Sequence, residues 1–189
     1  MKLDLILAGV GGQGILSIST IIGEAAIKKG LYLKQAEVHG MSQRGGEVQS
    51  HLRISDKPIH SDLIPKGKAH LIISVEPLES LRYISYLNPE GWLITNTNPY
   101  INIPNYPDIN EVLNQIRILP NHVMLDADMI AKELGSALTM NMVMLGAASK
   151  FIDIEYPALE DAIRTIFGSK GDNIVKLNLA ALKAGKEAK

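Results

Sequence analysis

The sequence predicts an α/β fold: a three-layer α/β/α sandwich with a mostly parallel sheet, a Rossmann-like start and a helical C-terminal part. Three observations predict it. An apolar run, Leu3 to Ala8, leads straight into the stretch GVGGQG at 9–14 and then into helically spaced apolar residues. That is the pattern of a strand, a tight turn and a helix. Further short apolar runs recur at 71–77, 91–96 and 122–128, as in sheets covered on both faces. Beyond residue 128 only helical patterns follow.

Each element follows in order. Residues 3–8 are a buried strand and 13–29 a helix, with Ile15, Leu16, Ile18, Ile22, Ala25 and Ala26 approximating helical spacing. Lys28-Lys29-Gly30 supplies basic residues and a glycine stop. A second strand at 31–38, ending at Glu37-Val38, completes a strand–helix–strand unit that is expected to be right-handed and parallel. HGMSQRGG at 39–46 is a polar loop. From 47 to 54, Val48, Ser50, Leu52 and Ile54 alternate with Glu47, Gln49, His51 and Arg53, which predicts a half-buried strand in an antiparallel or mixed part of the sheet. LIISVEP at 71–77 is another buried strand, PLESLRYISYL at 77–87 a short helix with Pro in its first turn, and GWLITN at 91–96 a strand. The Asn- and Pro-rich stretch 97–110 reads as an exposed crossing. HVMLDAD at 122–128 is one more strand. Helices are expected near 128–135, 139–152, 157–167 and 172–184, with Gly185 to Lys189 frayed.

Composition narrows the function. The 189 residues, 46% hydrophobic and 21% charged, suit one globular domain over 1–189 with a real core. A net charge of −1 gives no electrostatic case for nucleic acid or an anionic membrane. No window approaches the ~18 unbroken apolar residues of a membrane span, and the start lacks a signal peptide, so a soluble cytoplasmic protein is expected. The seven methionines favour core filling over adaptable contact surface. There is no cysteine, and protein-held iron–sulfur clusters need Cys thiolates. A disulfide, a thiol nucleophile and a Cys-type zinc site are excluded with them. The five histidines form no short pair, and no metal site is expected.

The glycine stretch carries the chemistry. Gly9, Gly11 and Gly14 fit GxGxxG, and Glu37 ends the second strand, so a dinucleotide fingerprint is formally met. Free N–H groups at the helix start favour an anion. Gly12 and Gln13 count against NAD, because they make the turn denser and more polar than usual. Glu37 runs straight into the next polar loop and can serve that loop rather than a ribose. Three readings stay open: a tight packing turn, a phosphate site and a protein interface. The second polar element holds His39, Ser42, Gln43 and Arg44, ending in Gly45-Gly46. Loops after strands line the crevice beside the first glycine turn, so Arg44 is expected near Gly11–Gly14, suited to a carboxylate or phosphate. A solvated turn is its alternative. No thiamine motif, P-loop or GxSxG elbow is present.

AGVGGQGILSISTIIGEAA, EVHGMSQRGGEVQSHLRI, EPLESLRYISYL and NMVMLGAA, in order over about residues 3–185, together resemble the gamma-type domain of the 2-oxoacid:ferredoxin (pyruvate/ketoisovalerate) oxidoreductases. The EVHGMSQRGG and EP-ESLR forms are most similar to the indolepyruvate branch. The resemblance implies oxidative decarboxylation of a 2-oxoacid, indolepyruvate or an aryl pyruvate, with coenzyme A as co-substrate and ferredoxin as electron acceptor. Thiamine diphosphate and the iron–sulfur clusters would sit on a separate large subunit; this chain would bind no cofactor alone and hold no catalytic residue. Gly9, Gly11, Gly12, Gln13, Gly14, Arg44, Gly45 and Gly46 match family positions. With His39, Ser42 and Gln43 they are assigned to one crevice facing the large subunit, the coenzyme A phosphates or both. Such a subunit can self-associate when isolated, through its C-terminal helices and LTMNMVMLG at 138–146. The competing readings are a stand-alone dinucleotide-binding protein and a ligand-free assembly module.

Overall fold

The structure is a computed structural model that describes residues 1–39 and 45–188. Ser42, Gln43 and Arg44 lie outside the described residues, and His39 is placed by its backbone alone. Among the described residues six strands form one sheet in the order β2-β3-β1-β4-β5-β6. They are β1 (Lys2–Val10), β2 (Tyr32–His39), β3 (Glu47–Ser55), β4 (Ala69–Ser74), β5 (Leu87–Asn96) and β6 (His122–Leu125). The helices are α1 (Ile15–Lys28), α2 (Pro77–Arg82), α3 (Ile109–Arg117), α4 (Ala127–Glu133), α5 (Met140–Ala148), α6 (Tyr156–Phe167) and α7 (Asp172–Glu187).

The expected three layers are present. Leu3, Leu5 and Leu7 of β1 point into a core shared with α1 and α4–α7, whereas Ile6 and Ala8 point into a second core with Val112 and Ile116 of α3. β1, β4, β5 and β6 pair in parallel. The first strand–helix–strand unit differs from expectation. β2 runs in the direction of β1 but does not touch it, because β3 is inserted antiparallel to both. The antiparallel setting of β3 was legible in its alternation; its place between β1 and β2 is a long-range pairing that no local pattern encodes.

His51 shows what that insertion does. β3 is covered on both faces, so His51, on the expected polar side, is 2% exposed. Its Nδ1 accepts from the Ile64 N–H at 3.0 Å, and Tyr86 packs edge-on at 5.4 Å. Burial, reinforced by the Arg53 charge, lowers its pKa below the ordinary 6.5. The unfolded chain therefore takes up a proton that the folded chain refuses. Stability falls as pH drops through 6.5 and levels off below the folded pKa. Melting temperatures between about pH 7 and about pH 5 should show a smaller acid loss in His51→Asn than in the wild type. Equal losses would remove His51 as the cause.

Two further corrections concern the helical part. α3 lies outside the expected helices: the Asn- and Pro-rich stretch runs up to its cap and hides the helical spacing of Ile109, Val112, Leu113 and Ile116. That cap is Asp108, whose side chain accepts from Asn110 N–H at 2.7 Å. Gly185 is not frayed: α7 continues to Glu187, and Gly185 packs on α5. All nine residues of α5 are buried, so Met140, Met142 and Met144 fill the core and offer no partner face.

Candidate functional site

β1 ends in the glycine turn. Gly12 has φ of 100° and Gly14 has φ of 76°, a region that side chains disfavour. Gly14 is also the N-cap of α1. A β-carbon there would overlap Nδ2 of Asn141, which donates to the Gly14 carbonyl at 3.0 Å. Gly9 has no room either: a β-carbon would overlap the Val75 side chain and come 2.9 Å from that of Ile15. Gly9 and Gly14 sit where β1, α1, the end of β4 and α5 meet and leave no room for a β-carbon, whereas Gly12 serves the turn through its φ alone.

The turn is braced from within. Gln13 folds back so that its Oε1 accepts from Val10 N–H at 2.8 Å, while its Nε2 reaches the Val75 carbonyl at 3.4 Å. The same carbonyl accepts from Nδ2 of Asn96, 3.2 Å away. Asn96 is fully buried and continues the chain of contacts: Nδ2 donates to Asp128 Oδ2 at 2.7 Å, and Oδ1 accepts from Ala127 N–H at 3.1 Å. The carboxyl ends of β1, β4, β5 and β6 are thereby linked by side-chain amides across the switch point, where doubly wound sheets place their ligands.

Of the second polar element, Gly45 and Gly46 lie against the glycine turn, while the expectation for Arg44 falls outside the described residues. Gly11 N–H donates to the Gly46 carbonyl at 2.9 Å, and Gly45 N–H approaches the Gly11 carbonyl at 3.5 Å. Gly9, Gly11, Gly12, Gln13, Gly14, Gly45 and Gly46 thus form one unit. Two of the amides expected for an anion, those of Gly11 and Gln13, are already used by Gly46 and Val10 carbonyls. His39 pairs with Val48, which pairs in turn with Gly9. It is two strand intervals from the turn, about 10 Å. Glu37 is displaced in the same way, pairing with Ser50 and so, across β3, with Leu7. The acidic residue of the dinucleotide pattern is therefore not beside the glycine turn, because β3 stands between them.

Among the described residues, Glu47, Glu76, Glu79 and Arg82 group where α2 meets the start of β3. Arg82 Nε lies 2.9 Å from Glu79 Oε2 and 3.1 Å from Glu47 Oε2, tying α2 to the start of β3. Burial pushes the Glu79 carboxyl above the usual range, against the pull of Arg82. Glu76 is 1% exposed and caps α2, with Oε2 accepting from Glu79 N–H at 2.8 Å. Sequence reading missed Glu76, Asn96 and Asn141. A carboxylate before Pro77 was a legible capping signal. Asn141 acts 127 residues away from Gly14, and nothing local marks it.

The donor set does not fit a cluster. With no cysteine in the chain, iron–sulfur ligation has no thiolate to use. Among the described residues no group of three or more His, Asp or Glu could hold a metal ion, and no helix is long and apolar enough to cross a membrane.

Fold and turn together define a doubly wound α/β domain whose switch point is bridged by its own side chains. The chain belongs to the pyruvate ferredoxin/flavodoxin oxidoreductase family, which matches residues 4–188. It is 40% identical to the indolepyruvate oxidoreductase subunit IorB of Archaeoglobus fulgidus, over 98% of this chain and 94% of that one. Its fold is similar to the gamma subunit of a keto/oxoacid ferredoxin oxidoreductase from Geobacter sulfurreducens PCA, with TM-score 0.71 and 23% identity, covering 98% of this chain and 96% of that one. It is also similar, with TM-score 0.76 and 22% identity, to 2-oxoglutarate:ferredoxin oxidoreductase from Magnetococcus marinus, a structure with 2-oxoglutarate, coenzyme A and succinyl-CoA bound. There the match covers 98% of this chain but spans 30% of the other chain's length. The family and the oxidoreductase class implied by the sequence resemblance are thereby established.

Proposed function

We propose that residues 1–189 form one gamma-type domain, serving in the cytoplasm as the cofactor-free small subunit of a 2-oxoacid:ferredoxin oxidoreductase. Its substrate in this reading is indolepyruvate or another aryl pyruvate. The large subunit carries thiamine diphosphate and iron–sulfur clusters, coenzyme A is the co-substrate, and the complex yields acyl-CoA, carbon dioxide and reduced ferredoxin. The family, the relatives and the absence of cysteine support this division of labour.

One observation carries the assignment of a docking face. Of the twelve large apolar side chains exposed among the described residues, eight lie at the carboxyl edge of the sheet, Val38 at the end of β2 and Ile174 in the cavity with Leu138 among them. Leu16 follows the glycine turn, Tyr100, Ile101 and Ile103 follow β5, and Met129 follows β6. Leu138, 90% exposed, lines the same cavity as Ser17 of α1. A free monomer seldom gathers so much apolar surface without a partner for it. The spent amides of Gly11 and Gln13 favour a protein over a phosphate at this edge. The glycine unit, with His39, Ser42, Gln43 and Arg44 beside it in sequence, then meets the large subunit at its rim.

Co-purification from the native host tests this. The chain should come with a large, Cys-rich, brown partner. Leu138→Asp, which changes a side chain outside the core, should weaken that association at least about tenfold, the loss of one anchor worth ~1.4 kcal/mol. Calorimetry of the lone chain should show no saturable NAD(H) or FAD binding. Recovery of the chain alone at native stoichiometry, or saturable dinucleotide binding, would sink the reading.

A further inference from the structure

The Asn- and Pro-rich stretch has an unusual attachment. After β5 the chain leaves the sheet, and Tyr100 N–H reaches Oε1 of Glu76 at 3.4 Å. Six residues later Tyr106 O–H donates to that same oxygen. Between these feet, Tyr106 N–H closes a turn on the Ile103 carbonyl at 3.3 Å. The loop 100–106 therefore stands with both feet on one buried carboxylate oxygen. Its tip reaches the glycine unit: Asn102 Nδ2 donates to the Gly45 carbonyl at 2.6 Å. Gly45 and Gly46 are in turn the residues that bond to Gly11.

The two attachments differ in kind. The feet bond to a carboxyl group that is 1% exposed, and inside the protein a hydrogen bond is electrostatically stronger than in water. Burial, and then the bond to Glu76, pushes the Tyr106 hydroxyl far above the ordinary tyrosine value, so it remains a donor. The tip bond is neutral, and both Asn102 and its surroundings face solvent. Water competes for it directly. The clasp is therefore the part that opens first, with the feet as a hinge.

We propose that loop 100–106 is a latch on the glycine unit, hinged on Glu76 and clasped by Asn102, and that releasing the clasp uncovers the outer edge formed by Gly11, Gly45 and Gly46. This goes beyond the subunit assignment and does not depend on it. A molecule that binds this edge, whichever it is, meets a loop already detached at one bond's cost.

Amide hydrogen exchange of the full chain, read residue by residue by NMR, tests the latch. Asn102→Ala removes the clasp without touching the core. Exchange at Tyr106, Gly45 and Gly11, whose amides are hydrogen-bonded, should rise about two- to tenfold, the range for one exposed neutral hydrogen bond. The amides of Glu79 and Ser80, beyond the hinge, should be unchanged. Tyr106→Phe removes one foot and should additionally raise exchange at Tyr100. Unchanged exchange at Gly11 and Gly45 in Asn102→Ala would overturn the proposal. So would an equal rise at Glu79 and Ser80, because hinge and clasp would then be one unit. Neither outcome bears on whether the chain joins a larger subunit.

Discussion

Arg53→Ala is expected to destabilise the protein by about 3–5 kcal/mol, the cost of leaving a buried carboxylate without its partner. Asp4 of β1 is fully buried. Arg53, opposite it on β3, grips both of its oxygens, with Nε 2.7 Å from Oδ1 and Nη2 3.2 Å from Oδ2. The remaining nitrogen, Nη1, donates to the Ser61 and Leu63 carbonyls, each at 3.0 Å. One guanidinium thus satisfies the carboxylate and pins the connection between β3 and β4. Lys2 also reaches Asp4 at 3.3 Å, but its side chain is 59% exposed and it holds the acid weakly. For a chain of this length the loss corresponds to a fall in melting temperature of roughly 6–20 °C. Replacing both partners, Asp4→Leu with Arg53→Met, should recover most of it, since apolar packing of similar volume often equals a buried ion pair. An Arg53→Ala melting temperature within about 2 °C of the wild type would show that Asp4 does not rely on Arg53.

Gly146→Ala should cost about 3 kcal/mol, at the upper end of what overpacking a core brings. α5 and α7 cross where each has a glycine. A β-carbon on Gly146 would overlap the Leu182 carbonyl oxygen, and one on Gly185 would overlap that of Val143. These are backbone atoms, so no rotamer change relieves the contact and the helices must separate. Separation loosens α5, whose nine residues are all buried, and through Asn141 it disturbs the bond to the Gly14 carbonyl. Gly185→Ala should act in the same direction. Gly168 is the control: its φ is −55° and nothing lies within 4 Å of a β-carbon there. Gly168→Ala should be neutral or stabilising by about 0.4–1 kcal/mol. Thermal unfolding of the three variants decides the matter; Gly146→Ala melting with Gly168→Ala would refute the tight crossing.

Much of the architecture was legible from residues 1–38 and from the apolar runs after them. Leu3–Ala8 alternates between two cores, and burial on both faces leaves a continuous apolar run. The glycine turn was legible because Gly12 and Gly14 adopt backbone conformations that favour glycine. The meeting of Gly11 with Gly45-Gly46 was legible as well, since loops after strand ends share one edge of a sheet. The oxidoreductase family followed from the motifs together and from no single one of them. Tertiary structure alone decided the rest. It inserted β3 between β1 and β2, which moved Glu37 and His39 away from the turn and dissolved the apparent dinucleotide pattern. It turned Gln13 inward onto Val10 and Val75, so that a residue suited to a ligand became a brace. It brought Asn141 to Gly14 and stood both ends of the 100–106 loop on Glu76. Periodicity and glycine placement act over a few residues and are written into the local sequence, whereas strand order and the partner of a buried amide are set by which distant surfaces pack.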